Sequence, residues 1–211
     1  MLRAVPFITF EGVEGCGKST QLALAAERLR ADGRPVRTTR EPGGTPLGER
    51  LRAILLDPAQ RNLDPVAEFL LFEADRRQHI RDVIRPGLEA GAWVLCDRFS
   101  DSTEAYQSAG RGIDAAWVAA VDDRVRGGVT PDLTLLFDVE PLEGLARTRR
   151  RDAREGRFES EEIAFHERVG LAFQAIARRE PSRIAVIDAR ADIESVAEET
   201  WRAFAARFSL S

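Results

Sequence analysis

Residues 12 to 20, GVEGCGKST, sit between a short apolar run, AVPFITFEG, and a stretch of strong helix formers, STQLALAAERLRADG. Gly12, Gly17, Lys18 and Ser19 fit G-x-x-x-x-G-K-[ST]. This pattern dictates strand, then glycine loop, then helix, because the loop must turn consecutive backbone N–H groups onto one anion. Leu22 and Leu29 lie on the helix, and Gly33 is expected just past its end. The helix N-terminus adds oriented donors and partial positive charge. The anion that fits is a phosphate chain, with Lys18 spanning its outer groups and Ser19 placed to hold Mg²⁺. Lys18 is also the only lysine among 31 lysine and arginine residues. A compact ammonium cannot be exchanged for a planar guanidinium where one charge bridges closely spaced oxygens, so chemistry rather than composition chose this residue.

With 211 residues, 44% of them hydrophobic, the chain can bury a full core, and one domain spanning 1–211 is expected. A net charge of −4 argues against a general nucleic-acid binder. The two cysteines, Cys16 and Cys96, read as reduced thiols of a cytosolic protein, with Cys16 as filler in the loop. No signal peptide or long apolar span is visible, so a cytoplasmic location without a membrane partner is expected.

Downstream, extended apolar runs alternate with helical periods. RPVRTTREP, AWVLCDR, LTLLFDV and RIAVIDA read as four further strands, separated by helix-like stretches at 65–84, 114–126, 160–178 and 192–208. Such alternation predicts an α/β fold, a five-stranded parallel sheet flanked by helices on both faces. Ligands of such sheets bind beyond the carboxyl ends of the strands.

The segments that leave the strands at those ends are therefore the places to look for chemistry. After the second strand comes TREPGGTPLGERLR, whose Pro42, Gly43, Gly44 and Pro46 read as a loop with Arg40 and Arg52 within reach of a second anion. After the third comes DRFSDSTEAYQ, where Asp97 can hold Mg²⁺ through water and Arg98 can neutralise phosphate oxygens. The helix PVAEFLLFEADRRQHIRDVI places Phe69, Phe72, Arg76 and Val83 along one face, with Phe72 and Arg76 as neighbours. An arginine within an apolar stripe needs acceptors. An aromatic face beside it suits a nucleobase, stacked on one and hydrogen-bonded by the other.

Seven stretches in order, FEGVEGCGKST, TREPGGTPLGE, LLFEADR, CDRFSDSTEAYQ, GRGID, PDLTLLFDV and FHERV, resemble the landmarks of the bacterial-type thymidylate kinase family nearly end to end. The resemblance implies the P-loop kinase fold, transfer of the γ-phosphoryl of Mg·ATP to dTMP to give dTDP, and a cytosolic homodimer. It assigns the ATP phosphates to the backbone of Gly15, Gly17, Lys18, Ser19 and Thr20, with Gly12, Glu14, Cys16 and Arg147 also at the ATP site. Glu14 meets the deoxyribose 3′-hydroxyl in this assignment, and Arg98, Arg52 and the Glu41-Pro42 turn surround the acceptor phosphate. Phe72 stacks on thymine, Arg76 donates to its O4, and Thr103 with Gln107 takes its other edge. Tyr106 lies beneath the sugar, where a 2′-hydroxyl does not fit. Some members carry an arginine inside the glycine loop, at the place of Gly15 here. The bacterial type supplies that charge from a lid, implied at about 147–158 by RTRRRDAREGR, with Arg149, Arg151, Arg154 and Arg157 as candidates and Arg151 and Arg157 favoured as catalytic.

The chemistry suits the residues at hand. A phosphate monoester, with a second pKa of about 6, is mostly dianionic at neutral pH and needs no strong general base. Neither His79 nor His166 then needs a catalytic role, and the task is to hold two charged groups in line and neutralise the one that moves. Residues alone leave two alternatives open: a kinase for another nucleoside monophosphate, against which the Phe72, Arg76 and Gln107 set speaks, and a nucleotide-dependent switch, against which Arg40, Arg52 and Arg98 speak.

Overall fold

The structure, a computed structural model, describes residues 5–60, 62–151 and 157–210. Among them β1 (Phe7–Glu11), β2 (Val36–Arg40), β3 (Trp93–Asp97), β4 (Leu133–Asp138) and β5 (Ile184–Asp188) form one parallel sheet in the order β2-β3-β1-β4-β5. The register pairs Phe10 with Asp97 and Arg40 with Asp97, so the chain leaves β1, β2 and β3 at one edge of the molecule. Every residue of β1 is buried, as a central parallel strand covered on both faces requires, whereas VRTTR in β2 carries the polarity of an edge strand.

The helices are α1 (Lys18–Ala31), α2 (Pro46–Leu55), α3 (Pro65–His79), α4 (Arg85–Glu89), α5 (Ser100–Thr103), α6 (Ala115–Arg126), α7 (Pro141–Arg151), α8 (Ile163–Arg179) and α9 (Ile193–Phe208). They bury both faces of the sheet. One apolar cluster joins Phe10, Leu22, Leu29, Leu135, Val169 and Phe204, and a second gathers Phe7, Ile80, Ile84, Val94, Phe99 and Val129. Gly33, with φ +77°, comes just past the end of α1 as its sequence position predicts.

The structure departs from the sequence reading in three places. The loop read at Pro42, Gly43, Gly44 and Pro46 gives way to a helix at its last residue: the Thr45 hydroxyl accepts the Gly48 N–H at 2.9 Å, with Pro46 pre-set for the first turn of α2. The single helix expected over 65–84 is α3 followed by a π-helical turn, Ile80–Ile84, and then α4. Pro86 stands in the first turn of α4. Its ring crowds the carbonyl four residues back and it lacks an N–H, and the wider turn ahead of it lets the chain run on. The stretch after β3 is likewise helical, α5 continuing into a π segment, Glu104–Gly110, that carries Tyr106 and Gln107.

Candidate active site

The glycine loop leaves β1 and opens α1, as its spacing requires. Lys18 is buried, and its ammonium donates to Gly12 O at 3.1 Å, Val13 O at 2.8 Å and Cys16 Sγ at 3.3 Å. Two glycines have no substitute. Gly12 holds φ +136°, and a Cβ there falls 2.5 Å from Phe137 O. At Gly15 a Cβ falls 1.9 Å from Gly144 O, so any side chain collides with α7. This is the position where an in-loop arginine stands in some members of the resembling family, and its exclusion here is steric.

At the end of β3, Asp97 Oδ2 accepts the Ser19 hydroxyl at 2.6 Å. A hydroxyl and a carboxylate are hard oxygen donors, the kind Mg²⁺ takes when phosphates and water complete its octahedron, so this pair fits that ion. Arg98 comes next with φ +69°, a strained conformation for a residue with a long side chain, which costs of order 1–3 kcal/mol. Its backbone N–H donates to Phe10 O at 3.0 Å, and its guanidinium reaches Gly12 O, Ser102 Oγ, Glu14 Oε1 and Tyr106 Oη between 2.9 and 3.2 Å. The strain aims the arginine back across the glycine loop. Glu14 Oε1 also accepts the Tyr106 hydroxyl at 2.6 Å. Burial works against its charge, yet His166, Arg98 and Lys18 together hold the Glu14 carboxyl down to about 2.

Arg76 is the centre of a second group. Its Nε donates to Glu41 Oε2 at 2.9 Å, and Nη1 reaches Glu73 at 2.6 Å, Thr103 Oγ1 at 2.8 Å and Asp122 at 2.9 Å. Among the described residues Nη2 makes no such bond, and Arg76 lines the cavity. His79 Nδ1 pairs with Glu41 Oε1 at 2.8 Å. Thr103 thus orients Arg76, and Gln107 Nε2 is committed to Glu68 Oε1 at 2.9 Å, which leaves the amide oxygen of Gln107 as its remaining polar atom. Both Glu41 oxygens are engaged, by Arg76 and His79, while Pro42 O, after a cis Glu41-Pro42 bond, accepts Arg52 Nη1 at 2.9 Å. Arg40 lines the same cavity and is paired with Glu49 at 2.9 Å.

So many buried carboxylates have a pH signature. Burial, reinforced by the charges of Asp122 and Glu41 at Glu73 and of Glu41 at Asp75, pushes both carboxyls up to about 7. A carboxyl whose pKa rises on folding stabilises the protein below the ordinary value near about 4 and loses that contribution as pH climbs toward the folded value. We therefore expect melting temperature to fall between about pH 4 and pH 7, and Asp75→Asn, which fixes the neutral form, to flatten that slope. A variant as steep as its parent in thermal melts across this range would remove Asp75 as the cause.

Arg147, on α7, donates to Ala189 O at 2.8 Å and to Glu143 at 2.5 Å, beside the loop that leaves β5. The expected lid is only partly described. Residues 152–156, Arg154 among them, and the side chain of Arg151 lie outside the described residues. Arg157 lines the same cavity as the glycine loop, but its guanidinium is not a free charge. It is buried, with Nε on Gln60 O at 3.0 Å, Nη1 on Leu55 O at 3.2 Å and Nη2 on Glu68 Oε2 at 2.5 Å. Sequence reasoning missed Glu68, Glu73, Asp122 and Phe158. Glu68 and Glu73 lie on the same helix as Phe72 and Arg76, and the need of a buried arginine for acceptors was the signal that could have found Glu73.

One cavity of about 550 Å³ collects these residues. The glycine loop from Glu14 to Thr20 lines one part, Arg147 and Ala189 another, and Arg52, Phe72, Arg76, Arg98, Thr103, Tyr106 and Gln107 a third. Gly12 packs beneath the loop. A parallel sheet with a phosphate loop at the switch between its central strands, and a second cationic pocket facing that loop, defines a P-loop kinase. The thymidylate kinase family model matches residues 10–200. Thymidylate kinase of Magnetococcus marinus is 51% identical over 97% of this chain and 98% of that protein, and that of Caulobacter vibrioides is 52% identical over 90% and 91%. A crystal structure of thymidylate kinase from Ehrlichia chaffeensis superposes with a TM-score of 0.77 at 37% identity, covering 95% of this chain and 98% of that one. The chain belongs to the thymidylate kinase family.

Proposed function

We propose that this enzyme transfers the γ-phosphoryl group of ATP to dTMP, giving ADP and dTDP for dTTP synthesis. The observation that carries the proposal is the single cavity with the Lys18 loop at one end and the Phe72–Arg76 pair at the other. In this reading backbone N–H groups from Gly15 to Thr20 hold the ATP phosphates and Arg147 lies along the adenine. Glu14 and Tyr106 take the sugar of dTMP, Arg52 and Arg98 its phosphate, and Phe72 and Arg76 Nη2 its base. Ser19 and Asp97 would hold Mg²⁺, which would supply positive charge to the transferring phosphates. Arg98 stands against the loop to neutralise the moving group, and Arg151, at the end of α7, is the favoured lid arginine for the same role, with Arg149 and Arg154 as the other candidates.

The protein is read as one cytoplasmic domain acting as a homodimer. Val66 and Leu70, one turn apart on α3, and Trp117 on the adjoining α6 stay exposed and apolar, which supports a partner copy on that side. Cys16 and Cys96 are unbridged, and no helix among the described residues is long and apolar enough to cross a membrane.

The direct test is ADP release with ATP, Mg²⁺ and each nucleoside monophosphate in turn. Turnover of AMP as efficient as that of dTMP would overturn the base-site assignment. For the metal pair, Asp97→Asn should raise the Mg²⁺ concentration needed for half-maximal rate by about 10-fold or more, as loss of an outer-shell carboxylate does. An unchanged Mg²⁺ titration would place the ion elsewhere.

A further inference from the structure

Phe158 has a position that neither the glycine loop nor α3 accounts for. It lines the main cavity although its residue is only 7% exposed, and its ring lies 5.7 Å from Tyr106 and 6.2 Å from Phe72, centroid to centroid. Two guanidinium groups lie over the ring, Arg157 at 5.2 Å and Arg111 at 5.5 Å. Both converge on one carboxylate, Glu68, whose Oε2 accepts Arg157 Nη2 at 2.5 Å and whose Oε1 accepts Arg111 Nε at 3.2 Å. Glu68 is fully buried, a costly place for a charge unless every oxygen is partnered. Gln107 Nε2 takes Oε1 at 2.9 Å, so the same anion fixes a second residue of the cavity wall.

We infer that Phe158 is a specificity-determining wall of the nucleobase pocket, and that Glu68 is the positioning residue that holds it there through Arg111 and Arg157. The inference rests on the acceptor-site reading above and deepens it. A ring clamped by two cations is pre-organised, so the base meets a rigid apolar surface opposite polar edges and loses little to ordering the site. Contacts of an aromatic ring with a base are worth on the order of 10-fold in affinity, and they report on the base rather than on sugar or phosphate.

Phe158→Leu keeps apolar bulk while removing the ring, and Glu68→Gln keeps shape while removing the charge. By calorimetry, Phe158→Leu should weaken dTMP about 10-fold. Affinity for 2-deoxyribose 5-phosphate, which lacks a base, and for ATP should stay within about twofold. Glu68→Gln should show the same base-only loss at smaller amplitude, about threefold, with a melting temperature that confirms a folded protein. Unchanged dTMP affinity in folded Phe158→Leu, or equal weakening of the baseless ligand, overturns the inference. So does a Glu68→Gln variant that weakens ATP and dTMP alike. A parent enzyme that binds ATP but not dTMP overturns instead the acceptor-site reading, and this inference with it.

Discussion

Arg76→Ala should give a protein destabilised by about 3–5 kcal/mol, the usual cost of stranding buried charges when one partner is removed. For a chain of this size that is a drop in melting temperature of roughly 10 °C or more. Glu41, Glu73 and Asp122 all lie within 2.9 Å of the Arg76 guanidinium, and each is at least nine-tenths buried. Deleting the cation leaves them facing one another across a cavity wall. The same change removes Nη2 from the proposed base pocket, so the variant should also lose dTMP affinity while keeping that for ATP. Stability and recognition can be separated. Combining Arg76→Met with Glu73→Gln and Asp122→Asn removes most of the repulsion, and should restore a large part of the stability but none of the dTMP affinity. If the combination recovers both, Arg76 acts on the substrate only through the fold.

Lys18→Arg should fold with a melting temperature close to the parent's and lose about 10²–10³ in turnover, the scale seen when one transition-state donor is removed. The ammonium is matched to its surroundings, with Gly12 O, Val13 O and Cys16 Sγ all within 3.3 Å of Nζ. Three acceptors converging on one point suit a tetrahedral donor. A planar fork carries its donors outward and occupies the space where phosphate oxygens must come close. Steady-state assays at saturating ATP and dTMP decide the matter, and activity within threefold of the parent would make the lone lysine an accident of composition.

Much of this fold is legible in the chain itself. The strands announce themselves because a parallel sheet buried on both faces needs near-continuous apolar runs, which FITFE, WVLCD and LTLLFD supply. The glycine loop is legible because its spacing is dictated by backbone geometry. Less visible is α2, since PGGTPLGE is dense in helix breakers and only the Thr45 cap reveals that the second proline starts a helix. The acceptors of Arg76 are hidden for another reason. Asp122 lies 46 residues away on α6, and pairing across that distance is set by packing rather than by any local pattern. Arg157 shows the limit from the other side. Six arginines in one stretch look alike in sequence, and only the carbonyls of Leu55 and Gln60, with Glu68, separate an anchor from a free charge.

The contact between Gly15 and Gly144 bears on how such enzymes can diverge. Each glycine excludes a side chain from the other's backbone: a Cβ at 15 meets Gly144 O at 1.9 Å, and one at 144 meets Glu14 O at 2.2 Å. An ancestor with this geometry could not acquire an in-loop arginine by a single substitution, because the first step closes the gap before α7 has moved. What keeps a side chain out of position 15 is thus backbone rather than chemistry. Only a shift of α7 opens that position to a side chain.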